Sequence, residues 1–140
     1  MIYLAGPLSH DYPRVERFRI AMITQYAVRL MLTNPDIYSP VTHNSLLYDH
    51  ANQMQKERLT HGYIMKQCKL MLQRSQHMIV YSLPGWEESK GVTEELALAE
   101  KLGIGVTRKL PERDIYERYH ERILPNRDPE YFDADFTKIK

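Results

Sequence analysis

Two adjacent carboxylates, Glu94 and Glu95, sit in the run Leu83-Pro84-Gly85-Trp86-Glu87-Glu88-Ser89-Lys90-Gly91-Val92-Thr93-Glu94-Glu95. The run reads as a strand end, a polar glycine-bearing loop and the first turns of a helix. On that helix Val92, Leu96, Ala99 and Gly103 share one stripe. At ~100° per residue Glu95 lies about 60° from Val92 and borders the stripe, whereas Glu94 lies about 160° away and faces solvent. Glu95 is therefore the candidate pocket carboxylate. A helix N-terminus favours anions and the ionised form of a nearby carboxyl, which suits a nucleophile more than a general acid. The alternative is that Glu95 only complements the helix dipole, and spacing leaves the two open.

The neighbours of this carboxylate carry double readings of the same kind. Ser89 can cap the helix, offer its hydroxyl to a ligand, or do both. Gly91 lets the backbone approach a ligand closely, or simply turns the chain. Trp86 can stack on a base or sugar, or act as a packing lid. Tyr3 lies in a predicted strand, where its phenol can reach the cleft mouth or be packed. Gly6-Pro7 ends that strand and shapes the cleft, but one glycine is no dinucleotide fingerprint. His43 falls in a predicted cleft loop and either touches a ligand or is solvated. His43 and His50 are seven apart, and the six histidines show no metal-binding spacing. There is no phosphate-binding Walker loop, no nucleophile elbow and no paired-cysteine metal site. Neither a metal nor a cofactor is expected.

The elements that must hold these residues alternate between strand and helix. Ile2-Tyr3-Leu4-Ala5 is a short apolar run, stopped by Gly6-Pro7. Val15, Phe18, Met22, Tyr26 and Leu30 give residues 14–32 an apolar helical stripe. Ile37-Tyr38-Ser39-Pro40 reads as a second strand, and residues 41–58 as a polar loop running into a helix. Ile64, Cys68, Met71 and Leu72 mark a helix from about 60 to 75, with Cys68 in the core. Met78-Ile79-Val80-Tyr81 has the continuous apolar character of a central parallel strand. A helix over 91–102 ends at Gly103, and Ile104-Gly105-Val106 is a last strand. This alternation implies an α/β fold with a parallel sheet of four to five strands, covered on both faces. Ligands bind such sheets beyond the strand C-termini, so the loops at Gly6-Pro7, Ser39–Asn44 and Leu83–Gly91 should converge on one cleft.

Composition narrows the function classes. The 140 residues suit one domain, set at 1–107, followed by a charged, tyrosine-rich arm over 108–140 that packs on the domain or on a neighbouring subunit. Within that arm, Ile115–Ile123 reads as a short helix. A net charge of +1 gives no basic surface for a nucleic-acid polymer. The apolar run Ile2–Pro7 is too short for a signal peptide or a membrane span. With Cys68 as the single cysteine, no internal disulfide can form. A cytoplasmic protein that makes no membrane contact is expected.

The motifs also carry a family resemblance. Ile2-Tyr3-Leu4-Ala5-Gly6-Pro7 resembles the opening of nucleoside 2-deoxyribosyltransferase-like proteins, and Gly85-Trp86-Glu87-Glu88-Ser89-Lys90-Gly91-Val92-Thr93-Glu94-Glu95 resembles their second signature. The likeness spans roughly residues 1–106 and is greatest to small members, often of phage or prophage, of unassigned function. It implies a flavodoxin-like, Rossmann-like three-layer sandwich that cleaves the N-glycosidic bond of a nucleoside or its 5′-monophosphate. By this resemblance Glu95 is the nucleophile, Tyr3 orients it, and serine at position 89 leans towards a phosphorylated substrate. It also implies a homo-oligomer in which a neighbour completes the site. The family's usual assisting acid has no counterpart near Lys69, and no carboxylate lies between Glu57 and Glu87. Glu87 or Glu88 is a possible substitute. The alternatives are a non-catalytic nucleotide-binding or sensing module, and a phage accessory interaction protein on the same fold.

Overall fold

The computed structural model describes residues 1–124. Its strands β1 (Ile2–Ala5), β2 (Ile37–Tyr38), β3 (His77–Tyr81) and β4 (Gly105–Lys109) form one sheet in the order β2-β1-β3-β4, with every neighbouring pair parallel. Parallel neighbours cannot be joined by tight hairpins, so long crossovers carry the helices. These are α1 (Pro13–Thr33), α2 (Pro40–His50), α3 (Gln53–Arg58), α4 (His61–Gln73), α5 (Lys90–Leu102) and α6 (Arg113–Ile123). The architecture is the parallel α/β sheet expected from the alternation of elements, in the three-layer, flavodoxin-like form that the family resemblance implies.

Strand periodicity splits the core into two layers. Leu4 and Tyr81 face α1 and α6, where they meet Val15, Phe18, Met22, Ile23, Ile115 and Tyr116. Tyr3, Ala5, Met78 and Val80 face the other way, onto Cys68 and Leu72 of α4 and Val92 and Ala99 of α5. The first turn of the chain after β1 needs a glycine for packing. A Cβ on Gly6 would lie 2.5 Å from Cδ1 and 3.1 Å from Cγ1 of the fully buried Ile23, so α1 could not lie so close to the strand end.

Two expectations require correction. Residues 41–58 are not a loop running into one helix but the two helices α2 and α3. Their start signals are local: Ser39 Oγ accepts from the Thr42 N–H with Pro40 opening α2, and Asn52 with Gln55 forms a capping box for α3. The last strand continues to Lys109, two residues past the boundary drawn at 107. The helix read over Ile115–Ile123 is α6, which begins at Arg113 and packs on α1. Tyr116 meets the Phe18 ring edge-on at 5.3 Å, so this part of the arm belongs to the core of the domain. The rest of the arm, residues 125–140, lies outside the described residues. Among the described residues no helix is long and apolar enough to cross a membrane.

Candidate functional site

With β1 at the centre, the chain moves to one side for β2 and to the other for β3 and β4. Where the order reverses, the loops leaving β1 and β3 part and a crevice opens beyond the strand ends. A cleft of about 1030 Å³ occupies this end of the sheet. Gly6, Leu8 and Ser9 after β1, Pro40 and Val41 after β2, and Glu88, Ser89 and Gly91 after β3 all line it. The three loops converge as the strand order requires.

Glu95 forms part of the cleft wall and is 5% exposed. The stripe on α5 that faces the core consists of Val92, Glu95 and Ala99. Capping sets the register: Ser89 Oγ accepts from the Val92 N–H at 3.3 Å, and the Thr93 hydroxyl donates to the Ser89 carbonyl at 2.8 Å. Gly103, at φ 71°, closes the other end of the helix. Glu95 is thus the sixth residue of α5, beyond the first turn where the helix dipole acts most strongly. Burial dominates instead. It pushes the carboxyl from the ordinary 4.5 up to about 7, partly opposed by the Tyr3 phenol and reinforced by the charge of Glu94. The expected bias towards the ionised form is therefore reversed.

Tyr3 is fully buried behind Glu95. Burial, then the nearby Glu95 charge, raises its phenol far above the ordinary tyrosine range. The two groups influence each other, yet Tyr3 Oη and Glu95 Oε2 are both buried without a hydrogen-bond partner among the described residues. Two unmatched polar atoms side by side in the core are costly unless something enters to bond them. Cys68 completes this corner. It lines the cleft at 3% exposure, and burial pushes its thiol up to about 11.

Of the remaining sequence candidates, Gly6, Ser89 and Gly91 line the cleft. A Cβ on Gly91 would lie 3.6 Å from Glu95 Oε1 and 3.9 Å from Ser89 Oγ, so glycine keeps the carboxylate open on that side. Pro7, His43 and Trp86 do not line it. His43 sits in the first turns of α2, exposed, with its ring 5.6 Å from Tyr38, because the segment is helical rather than looped. Trp86 packs in the 3-10 turn Trp86–Glu88 against the α4/α5 core layer, under the Arg108 guanidinium at 5.6 Å, and is a packing lid. Glu88 reaches the cleft and Glu87 does not. Lys69 is exposed, one residue beyond the cleft-facing Cys68.

Three features were not anticipated from the sequence. Arg19, 4% exposed, donates to the carbonyls of Leu8 at 3.2 Å, Ser9 at 2.7 Å and Pro84 at 3.0 Å, tying the loop after β1 to the loop after β3. An arginine directly after Phe18 on a core-facing helix was the available signal. On α2, Val41, Asn44, Ser45 and Tyr48 recur at three- and four-residue steps and form a wall of the cleft, and Asn44 Nδ2 is buried without a partner among the described residues. At the mouth, His61 Nε2 lies 3.1 Å from Glu94 Oε1. This half-exposed pair adds little to stability, so its interest lies in where it holds the imidazole.

No group of three or more potential metal ligands occurs among the described residues. Chemically the cleft offers one desolvated carboxyl, a capped helix N-terminus for an anion and mixed charge at its rim. Comparison with curated proteins gives no match. A family model described as a domain of unknown function (DUF1937) matches residues 1–109, which include all four strands and every residue named in the cleft; the chain belongs to that family.

Proposed function

We propose that the cleft cleaves the N-glycosidic bond of a (deoxy)nucleoside or its 5′-monophosphate, with Glu95 as nucleophile. The carrying observation is the buried Glu95 carboxyl beside the Tyr3 phenol at the strand-end cleft, with Oε2 unpartnered. The volume suits a nucleotide, since ligand pockets span roughly 300–1,000 Å³. In the first step a Glu95 oxygen bonds to the anomeric carbon as the C–N bond breaks, and the bonding pair leaves with the base. In the second, water or another base attacks that carbon and the carboxylate departs, giving hydrolysis or base exchange. Two displacements through an oxocarbenium-like transition state replace one harder step. A carboxyl near pKa 7 is substantially ionised at neutral pH, and its desolvation keeps the anion reactive. Ser89 and the start of α5 would receive a 5′-phosphate. The test is incubation with each nucleoside and 5′-monophosphate, followed by chromatography for free base. Release by wild type that is lost in Glu95→Ala is expected; no release from any substrate contradicts the proposal.

A second reading is binding without turnover, favoured by the absence of an acid at the exposed Lys69. Calorimetric binding with ligand unchanged after prolonged incubation would select it. A homo-oligomer belongs to the main proposal, supported by the exposed apolar side chains of Met31, Leu32, Leu46 and Leu47.

A further inference from the structure

When a glycosidic C–N bond breaks, the electron pair goes to a nitrogen of the base. A group that protonates the base as the bond lengthens typically contributes 10²–10⁴-fold. Glu95 cannot supply that proton while its oxygen bonds to carbon. The α4 wall of the cleft presents His61, Ile64, Met65 and Cys68 at three- and four-residue steps. Ile64 and Met65 carry no exchangeable proton, and Cys68 is packed at the foot of the wall beside Tyr3. His61 heads the stripe as the first residue of α4 and reaches the mouth of the cleft.

Its position is fixed from α5. His61 Nε2 lies 3.1 Å from Oε1 of Glu94, the residue directly before the nucleophile. A carboxylate on one ring nitrogen orients an imidazole while the other nitrogen exchanges a proton. Nδ1 makes no hydrogen bond to the described residues, which leaves it for a ligand. The other charged groups lining the cleft are Lys90 on α5, Glu88 just before it, Asp49 on α2, and Glu16 and Arg17 on α1. None of them bonds the imidazole.

We infer that His61, oriented by Glu94, donates the proton to the departing base; this rests on the N-glycosidase reading of the same cleft. The proton moves from Nδ1 to a base nitrogen as that base takes the C–N bonding pair and Glu95 takes the anomeric carbon. His61 is left neutral. When water then attacks the anomeric carbon, His61 accepts the water's proton, the carboxylate is released, and the enzyme returns to its starting state.

The experiment follows base release by full-length wild type, His61→Asn, Glu94→Gln and Glu95→Gln. It uses one deoxynucleoside monophosphate carrying adenine and one carrying a 5-halogenated uracil, a base acidic enough to leave as an anion. His61→Asn should lose about 10²-fold or more in kcat with adenine and less than about 10-fold with the halogenated base, and its alkaline pH limb should flatten. Glu94→Gln should shift the same way by less, and Glu95→Gln should lose activity on both. An active wild type whose His61→Asn variant is unchanged, or equally slowed on both substrates, overturns the His61 assignment alone. A wild type inactive on both substrates overturns the glycosidase reading and this assignment with it. His61 is exposed, so a thermal melt matching wild type is expected for the variant.

Discussion

Burial penalises the charged form of a carboxyl, and at Glu95 that penalty outweighs the opposing influence of the Tyr3 phenol, with Oε2 lacking a bonding partner among the described residues. Its pKa rises on folding, so the folded state holds the proton longer than the unfolded chain does. The stability tied to this proton is fully present below about 4.5 and is lost as pH rises through about 7. Glu95→Gln removes that loss. Denaturant titrations should find Glu95→Gln gaining on wild type between pH 5 and pH 8 by about 3 kcal/mol. An unchanged difference across that range would mean that the carboxyl is not desolvated. The choice of Glu95 over Glu94 was legible in the sequence because helical angle alone separates them. Its raised pKa was not, because the cause is burial in the folded chain, where Glu95 is 5% exposed, and spacing along one helix does not reveal how deep a side chain lies. His61 escaped notice because its partner is 33 residues away.

At the scale of elements, α5 does most of the positioning. Its cap at Ser89 sets the register that carries Glu95 inward, and Gly91 sits between them as the second helical residue. Alanine there would meet Glu95 Oε1 and Ser89 Oγ at ordinary contact distances, so the helix can accept it and even favour it by about 0.5–1 kcal/mol. The methyl would nevertheless cover the open side of the carboxylate. Gly91→Ala should therefore melt at or above the wild-type temperature while kcat/KM for base release falls about 10-fold or more. A variant that melts normally and keeps full activity would show that substrate does not approach between Ser89 and Glu95. Helices that bury an apolar stripe in the core, α1, α4 and α5, were readable from periodicity. By contrast α2 buries only Pro40 and Val41, and α3 buries nothing, so their periodic signal was missing. Only their caps, Ser39-Pro40 and Asn52 with Gln55, marked them.

For the whole molecule, the order β2-β1-β3-β4 opens a crevice between diverging loops. Arg19 then ties two of those loops through their carbonyls. The parallel sheet and the converging loops could be read from alternation alone. The partners in the long-range ties, Pro84 for Arg19 and α1 for α6, could not, since an arginine on a core-facing helix and a helical arm signal a contact without naming what it meets. Assembly belongs at this scale as well. Light scattering should give a mass above one chain of 16.6 kDa, and a monomer at high concentration would remove the oligomer from the proposal. The central claim is that Glu95 bonds covalently to the sugar. Mass spectrometry of protein acid-quenched during turnover of a deoxynucleoside monophosphate tests it most directly. The expected result is a sugar-phosphate adduct on the peptide containing Glu95, missing in Glu95→Gln. Base release by Glu95→Gln at the wild-type rate, with no adduct on wild type, would contradict it.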